Sequence, residues 1–215
     1  LRSDILDFLA NIVQQVLTVL YNFTESMGIP NLGLAIVLMT IIIKLIMYPL
    51  TQKQIQSTKA MMEIQPKMKA LQEKYKDDKQ RLNMELANLY KSEGVNPLAG
   101  CLPLLIQMPI MIGIFYGIRD YDYAAHPELV TSFLWLKDIS LADPTYILPV
   151  LSALTTYIQT KQTMPAGGGA QNKMMAYFMP LFIGYISLTF PAGLVLYWVV
   201  MNIMQIAQQS IMNKA

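Results

Sequence analysis

Three long stretches of this chain carry no acidic residue: 26–62, 94–119 and 144–215. Inside them lie apolar runs of about 20 residues, the length of helix that crosses a bilayer at 1.5 Å rise per residue. Backbone in such a run must satisfy its own hydrogen bonds, so each run is expected to be helical. The composition agrees. Hydrophobic residues make up 54%, charged residues only 14%, and mean hydropathy is +0.37, whereas soluble chains are roughly a quarter charged. The pattern predicts an all-α polytopic membrane protein and excludes a single water-buried core. One cysteine, Cys101, excludes a disulfide framework or a Cys-rich metal site, and one histidine, His126, argues against a multi-His centre.

Five transmembrane helices are expected, at 31–51, 98–118, 145–160, 174–190 and 191–211. The third is the most polar, with Ser152, Thr155 and Thr156, and Pro191 leaves room only for a tight hairpin between the last two. Residues 1–30 read differently. Asp4, Asp7, Asn11, Gln14, Thr18, Asn22 and Glu25 recur every three or four positions, and Ile5, Leu9, Ile12, Val16, Leu20 and Phe23 do so on another face. That is an amphipathic helix suited to an interface. The short loops set the orientation. Segment 52–97 carries Lys53, Lys59, Lys67, Lys69, Lys74, Lys76, Lys79, Arg81 and Lys91, and Lys161, Lys173 and Lys214 belong to the same side; only Arg2, Arg119 and Lys137 fall on the other. The positive-inside rule makes 52–97, 161–173 and the 212–215 tail cytoplasmic. The N-terminus and the acidic 119–144 loop are then outside, and the C-terminus is inside. Leu1 in place of Met is compatible with an upstream signal segment having been removed.

Within 52–97, Met61, Ile64, Met68, Leu71 and Tyr75 form one seam, and Leu82, Leu86 and Leu89 another, with a turn at 76–79 and Asp78 as a cap. This predicts an antiparallel helical hairpin, with a kink or restart near Gln65 because Pro66 follows. The hairpin can bind anionic headgroups, or it can dock a ribosome, a targeting factor or a nascent chain.

No expected span contains Asp, Glu or His, so the chain offers no proton relay, carboxylate pair or metal ligand set within the membrane. There is no phosphate loop, and Gly167–Gly168–Gly169 reads as a turn. The residues point away from catalysis and call for no cofactor. One cation stands out. Lys44 lies among Ile41, Ile42, Ile43, Leu45 and Ile46 with no acidic partner in any span. An unpaired charge there costs roughly 2.5–3.5 kcal/mol on insertion scales. Snorkelling must cover about 10 Å to the helix end. A water-filled cavity is the alternative, and Thr40, Gln107, Gln159, Trp198, Asn202 and Gln205 can share it. Each of these polar groups can also serve simply as a helix–helix hydrogen bond. The flexible thioethers of Met108, Met111, Met175 and Met179 suit either ordinary packing or adaptable contact with many apolar partners.

Two longer motifs narrow the choice. Asn96-Pro97-Leu98-Ala99-Gly100-Cys101-Leu102-Pro103-Leu104-Leu105-Ile106-Gln107-Met108-Pro109 is one; Phe190-Pro191-Ala192-Gly193-Leu194-Val195-Leu196-Tyr197-Trp198, followed by Asn202 and Gln208-Gln209, is the other. With Tyr48-Pro49-Leu50 and Gly94-Val95-Asn96-Pro97, they make residues 30–211 resemble YidC-type membrane protein insertases (the YidC/Oxa/Alb family) of the short five-span bacterial form. The resemblance implies a bacterial plasma-membrane protein without enzymatic activity. It implies a hydrophilic groove, open to cytoplasm and lipid, that moves short hydrophilic segments of nascent membrane proteins and releases their apolar segments into the bilayer. Lys44 matches the groove's basic position, where the family usually has Arg, and Gln159 and Trp198 match groove-lining positions. Met108, Met111, Met175 and Met179 fall on the expected apolar slide. Implied partners are nascent membrane proteins, membrane lipids, and the ribosome and Sec translocase, with no sequence-specific nucleic acid. The residues alone leave open a small-anion channel or transporter, and an assembly chaperone that does not translocate.

Overall fold

The computed structural model describes residues 2–96, 102–121, 126, 128–163 and 170–214, and gives no side-chain account of 2–3, 102–104, 170–175 and 213–214. Among the described residues the chain forms eight helices and no strand: α1 (Arg2–Ser26), α2 (Leu32–Ile46), α3 (Tyr48–Lys74), α4 (Lys79–Ser92), α5 (Leu102–Arg119), α6 (Ile147–Thr163), α7 (Ala170–Ser187) and α8 (Ala192–Lys214). Helix α8 is the axis of the bundle. It packs against α2, α5 and α6; α7 packs on α6, and α1 packs on α5 and α2.

By length and composition, Asp4–Ser26 and Ala192–Met212 can each cross a membrane as single helices. The pair α2 and α3 passes the same test jointly, but it is bent by 64° at Met47. Pro49 at the start of α3 fits that bend, since proline is tolerated in a first turn and not farther in. The remaining apolar helices are shorter, so length and composition do not by themselves give five spans. Helix α6 is 17 residues, about 26 Å, close to the hydrocarbon thickness. Its Ser152, Thr155 and Thr156 are buried against neighbouring helices.

Helix α1 presents three faces. Ala10, Leu17, Tyr21 and Thr24 are buried in the bundle, while Ile5, Phe8, Ile12, Val16, Val19 and Phe23 stand exposed in an apolar stripe. The polar residues occupy the remaining arc. Its packing on α5 centres on the last two turns of that helix, where Leu9 and Val13 meet Gly113 and Gly117.

The segment between α5 and α6 closes one end of the bundle. Its carbonyls accept from the first amides of two helices: Leu32 N donates to Val130 O (3.0 Å), Ala192 N to Leu141 O (2.7 Å) and Gly193 N to Ile139 O (2.8 Å). These are the orphan donors that every helix start leaves behind. Asn31 caps α2 through its side-chain oxygen and donates its amide to Ser132 O (2.7 Å). Leu136 and Ile139 sink into a core with Ile36, Ile114, Ile118, Leu148, Ala192, Leu194 and Val195.

At the other end α3 and α4 form a helical hairpin. Asp78 caps α4 by accepting from Arg81 N, and Tyr90 Oη donates to Met68 Sδ. Ile64 is buried on the seam. Helix α3 runs unbroken through Pro66, so the restart expected near Gln65 does not occur. Pro66 removes one ladder bond, and just beyond it Lys67 pairs with Glu93 and Met68 accepts from Tyr90.

Candidate functional site: a buried polar seam around Lys44

Lys44 is on the last turn of α2, on the same face as Thr40, and is 4% exposed. Among the described residues it meets no carboxylate. Its ammonium donates instead to Gln205 Oε1 on α8. Because α8 runs down the middle of the bundle, its i, i+3 and i+4 positions deliver a column of polar groups: Trp198, Asn202, Gln205, Gln208 and Gln209. Trp198 Nε1 donates to Thr156 Oγ1 (3.0 Å), and Asn202 Nδ2 lies within bonding distance of both Thr155 Oγ1 (3.1 Å) and Thr156 Oγ1 (3.0 Å). Gln208 Oε1 accepts from Thr51 Oγ1 of α3 (3.1 Å).

The expected site residues therefore separate. Lys44, Trp198 and Asn202 belong to this seam. Thr40 is fully buried beside it, but its hydroxyl donates back to Ile36 O (2.7 Å). Gln107 is half-buried on another side of α8, donating to Tyr197 Oη (2.7 Å). Gln159 is half-buried near the end of α6, where its backbone carbonyl accepts from Thr163 Oγ1 (3.1 Å). Met108 and Met179 are exposed on α5 and α7, and Met111 packs against the core. The side chain of Met175, together with Cys101 and Gly167–Gly169, lies outside the described residues. Thr155, Thr156 and Tyr197 were not singled out as site residues. The signal that could have found Thr155 and Thr156 is their i+3 and i+4 spacing from Ser152 in the most polar expected span.

The polar groups of the seam are buried. Lys44, Thr51, Gln54, Asn202, Gln208 and Gln209 are buried toward the hairpin end; toward the end sealed by the loop the buried groups are mainly aliphatic, with Thr24, Asp143, Ser152 and Ser187 among them. A cavity of about 480 Å³ lies elsewhere, on α1 between Asn11, Gln14, Gln15 and His126, and does not reach Lys44. A cation without a fixed counter-ion, set among neutral amides and hydroxyls, can attract a transient anionic or polar guest. It offers neither a nucleophile–base pair nor a metal ligand set among the described residues.

Taken together, an all-helical bundle with long apolar helices, a buried polar seam around Lys44 and a basic hairpin beside it define a helical membrane protein. The chain belongs to the 60Kd inner membrane protein family, whose model matches residues 22–215. It is 42% identical over 195 residues to the membrane protein insertase YidC of Syntrophus aciditrophicus, covering 91% of this chain and 34% of that protein. It is 42% identical over 189 residues to the membrane protein insertase YidC of Maridesulfovibrio salexigens, covering 86% and 35%. The crystal structure of an active YidC insertase with its first transmembrane domain resolved superposes with a TM-score of 0.72 at 30% identity, over 94% of this chain and 45% of that one. The chain thus spans about a third of the length of these curated relatives.

Proposed function

We propose that this chain is the insertase core of a bacterial plasma-membrane protein. It lets a short hydrophilic segment of a nascent membrane protein cross the bilayer and releases the adjoining apolar segment into lipid. The observation that carries this reading is Lys44, buried without a carboxylate in a polar seam that ends against an apolar plug. A substrate tail entering from the hairpin side replaces Gln205 with its own acidic or polar groups, and it is hydrated part of the way across. The apolar segment then leaves past the exposed side chains of α5 and α7, among them Met108 and Met179. Transfer of that segment supplies the driving energy, about 25 cal/mol per Å² of apolar surface buried, so the work needs no nucleotide or covalent step.

The positive-inside count supports a cytoplasmic hairpin and C-terminus and an external N-terminus. On that reading α1 lies in the outer interface, with its apolar stripe on lipid and its polar arc in water; a spanning α1 would turn that arc toward hydrocarbon. The nine basic residues of 52–97 suit the hairpin to meeting anionic headgroups or a ribosome carrying substrate.

The test is insertion of a single-span substrate into vesicles holding the purified protein, read by protease protection of the translocated tail. Lys44→Arg should insert like wild type, Lys44→Ala about tenfold less, which corresponds to some 1.4 kcal/mol of lost attraction, and Lys44→Glu least of all. Equal protection by all three variants removes Lys44 from the mechanism, and solute flux without insertion would replace the insertase by a channel.

A further inference from the structure

Below Lys44 the polar column changes character. Asn202 has its amide nitrogen satisfied by two threonine hydroxyls, as a structural helix–helix contact should. About two turns farther on, amide atoms lose their partners. Gln209 is 1% exposed, and neither its Nε2 nor its Oε1 bonds anything among the described residues. Gln208 Nε2 and Gln54 Nε2 are likewise buried and unbonded, in residues 7% and 6% exposed. On the α6 side, Gln162 donates to Ser210 Oγ (3.0 Å), but its Oε1 is orphaned. Four glutamines from α3, α6 and α8 thus collect orphaned amide atoms at the hairpin end of the bundle, where a chain arriving from the hairpin side has to pass.

Buried polar groups are nearly always paired, because leaving one unpaired forfeits its hydration for nothing. A cluster of them is explained most economically by a partner that comes and goes. These are neutral carboxamides, each with two donors and one acceptor oxygen. That set matches the N–H and C=O of a peptide main chain and shows no preference for charge. An extended segment within the bilayer has no internal ladder to satisfy its own backbone, so it must find donors and acceptors on its path.

We infer that Gln54, Gln162, Gln208 and Gln209 form a binding mouth for the main chain of an extended polypeptide, reading its peptide groups rather than its side chains. The inference rests on the insertase reading and deepens it: Lys44 selects charge, and the glutamine mouth holds backbone of any sequence. The unpaired amides also make the closed mouth costly, so opening toward a substrate gains bonds that closure forgoes.

The experiment uses the full chain in vesicles and two single-span substrates whose translocated tails contain only Gly and Ser. In one tail the peptide bonds are intact. In the other, several are replaced by esters, which removes N–H donors and leaves the side chains unchanged. Wild type should protect the amide tail about tenfold more than the ester tail. A Gln54→Leu, Gln208→Leu, Gln209→Leu variant should treat the two alike, near the wild-type level for the ester tail. That variant should unfold thermally no earlier than wild type, because it deletes four buried unpaired amide atoms against one hydrogen bond, from Thr51 Oγ1 to Gln208 Oε1, and that hydroxyl keeps Tyr48 O as an acceptor; a structural role would make it less stable. Equal protection of both tails by wild type, or an undiminished amide preference in the variant, overturns the inference while leaving the insertase reading standing. Failure of wild type to protect any tail overturns both. Should the triple variant not assemble, Thr58→Cys in a Cys101→Ser background decides. It lies one turn beyond Gln54 on the same face and should form a disulfide with a cysteine in the stalled Gly/Ser tail; absence of that disulfide in protein that still inserts overturns the inference.

Discussion

Asp143, four residues before α6, anchors the loop closure and shows how one side chain can hold an end of the bundle. It is 3% exposed and accepts from Thr145 N (2.9 Å), Thr145 Oγ1 (2.6 Å) and Leu148 N (2.8 Å), capping the start of α6. Burial pushes its carboxyl up, but the hydrogen bonds from Thr145, Leu148 and Trp135 together outweigh burial and hold it below the usual carboxylate range. A carboxyl whose folded pKa is depressed contributes stability above its unfolded pKa, about 3.9, and loses it as pH falls through the folded value. The loop anchor should therefore be intact from neutrality to about pH 4 and weaken below that. Asp143→Asn should cost about 1–2 kcal/mol at pH 7 and flatten the acid limb of thermal stability in detergent. An unchanged acid limb would show that another group sets it. Lys44 is the opposite case, a buried charge without a counter-charge. It was legible in the sequence because a cation in an aliphatic run has few explanations. Its partner Gln205 was one of several amides on α8, and no residue pattern ranked it above the others.

At the scale of elements, contact depends on small residues that the hydrophobic pattern does not reveal. A Cβ at Gly184 of α7 would stand 2.9 Å from Ala153 Cβ on α6, and that atom moves only with its backbone. Gly184→Val should therefore push α6 and α7 apart and cost about 1–3 kcal/mol, read as a lower midpoint in detergent unfolding. Ala153→Gly in the same chain should recover part of the loss. Full stability of Gly184→Val alone would mean the two helices do not pack as closely as described. The same logic applies at Gly33, where a Cβ would fall 2.3 Å from the Phe133 ring. These positions were invisible beforehand, since a glycine's packing role depends on what approaches it. Periodicity did locate the helices. The restart it allowed near Gln65 does not occur, because a proline's lost bond is local and the rest of α3 keeps its ladder. Periodicity also gave no sign that the span beginning at residue 31 would end at a 64° bend at Met47.

For the whole molecule, the decisive property is asymmetry along the bundle. Ile36, Ile114, Leu136, Ile139 and Leu148 close one end with loop carbonyls saturating the helix starts, so water entering there would have to displace both packing and hydrogen bonds. At the other end Lys44, Asn202 and the glutamines offer water partners as soon as the seam parts. An insertase needs this one-sided arrangement, whereas a channel needs polar lining at both ends. Single cysteines at Thr51, Asn202, Ile36 and Ile114 in a Cys101→Ser background distinguish the two. Each is buried, so a membrane-impermeant thiol reagent reaches it only through opening. Applied on the hairpin side, the reagent should label Thr51→Cys fastest and Asn202→Cys more slowly, with both rates rising when a substrate tail is present. Ile36→Cys and Ile114→Cys should resist labelling from either side, because opening stops at the apolar plug. Labelling of Ile36→Cys from both sides at a rate comparable to Thr51→Cys would demonstrate a through-going pore. The buried charge of Lys44 would then belong to an anion path, and the insertase reading would fall with the one-sided interior on which it depends.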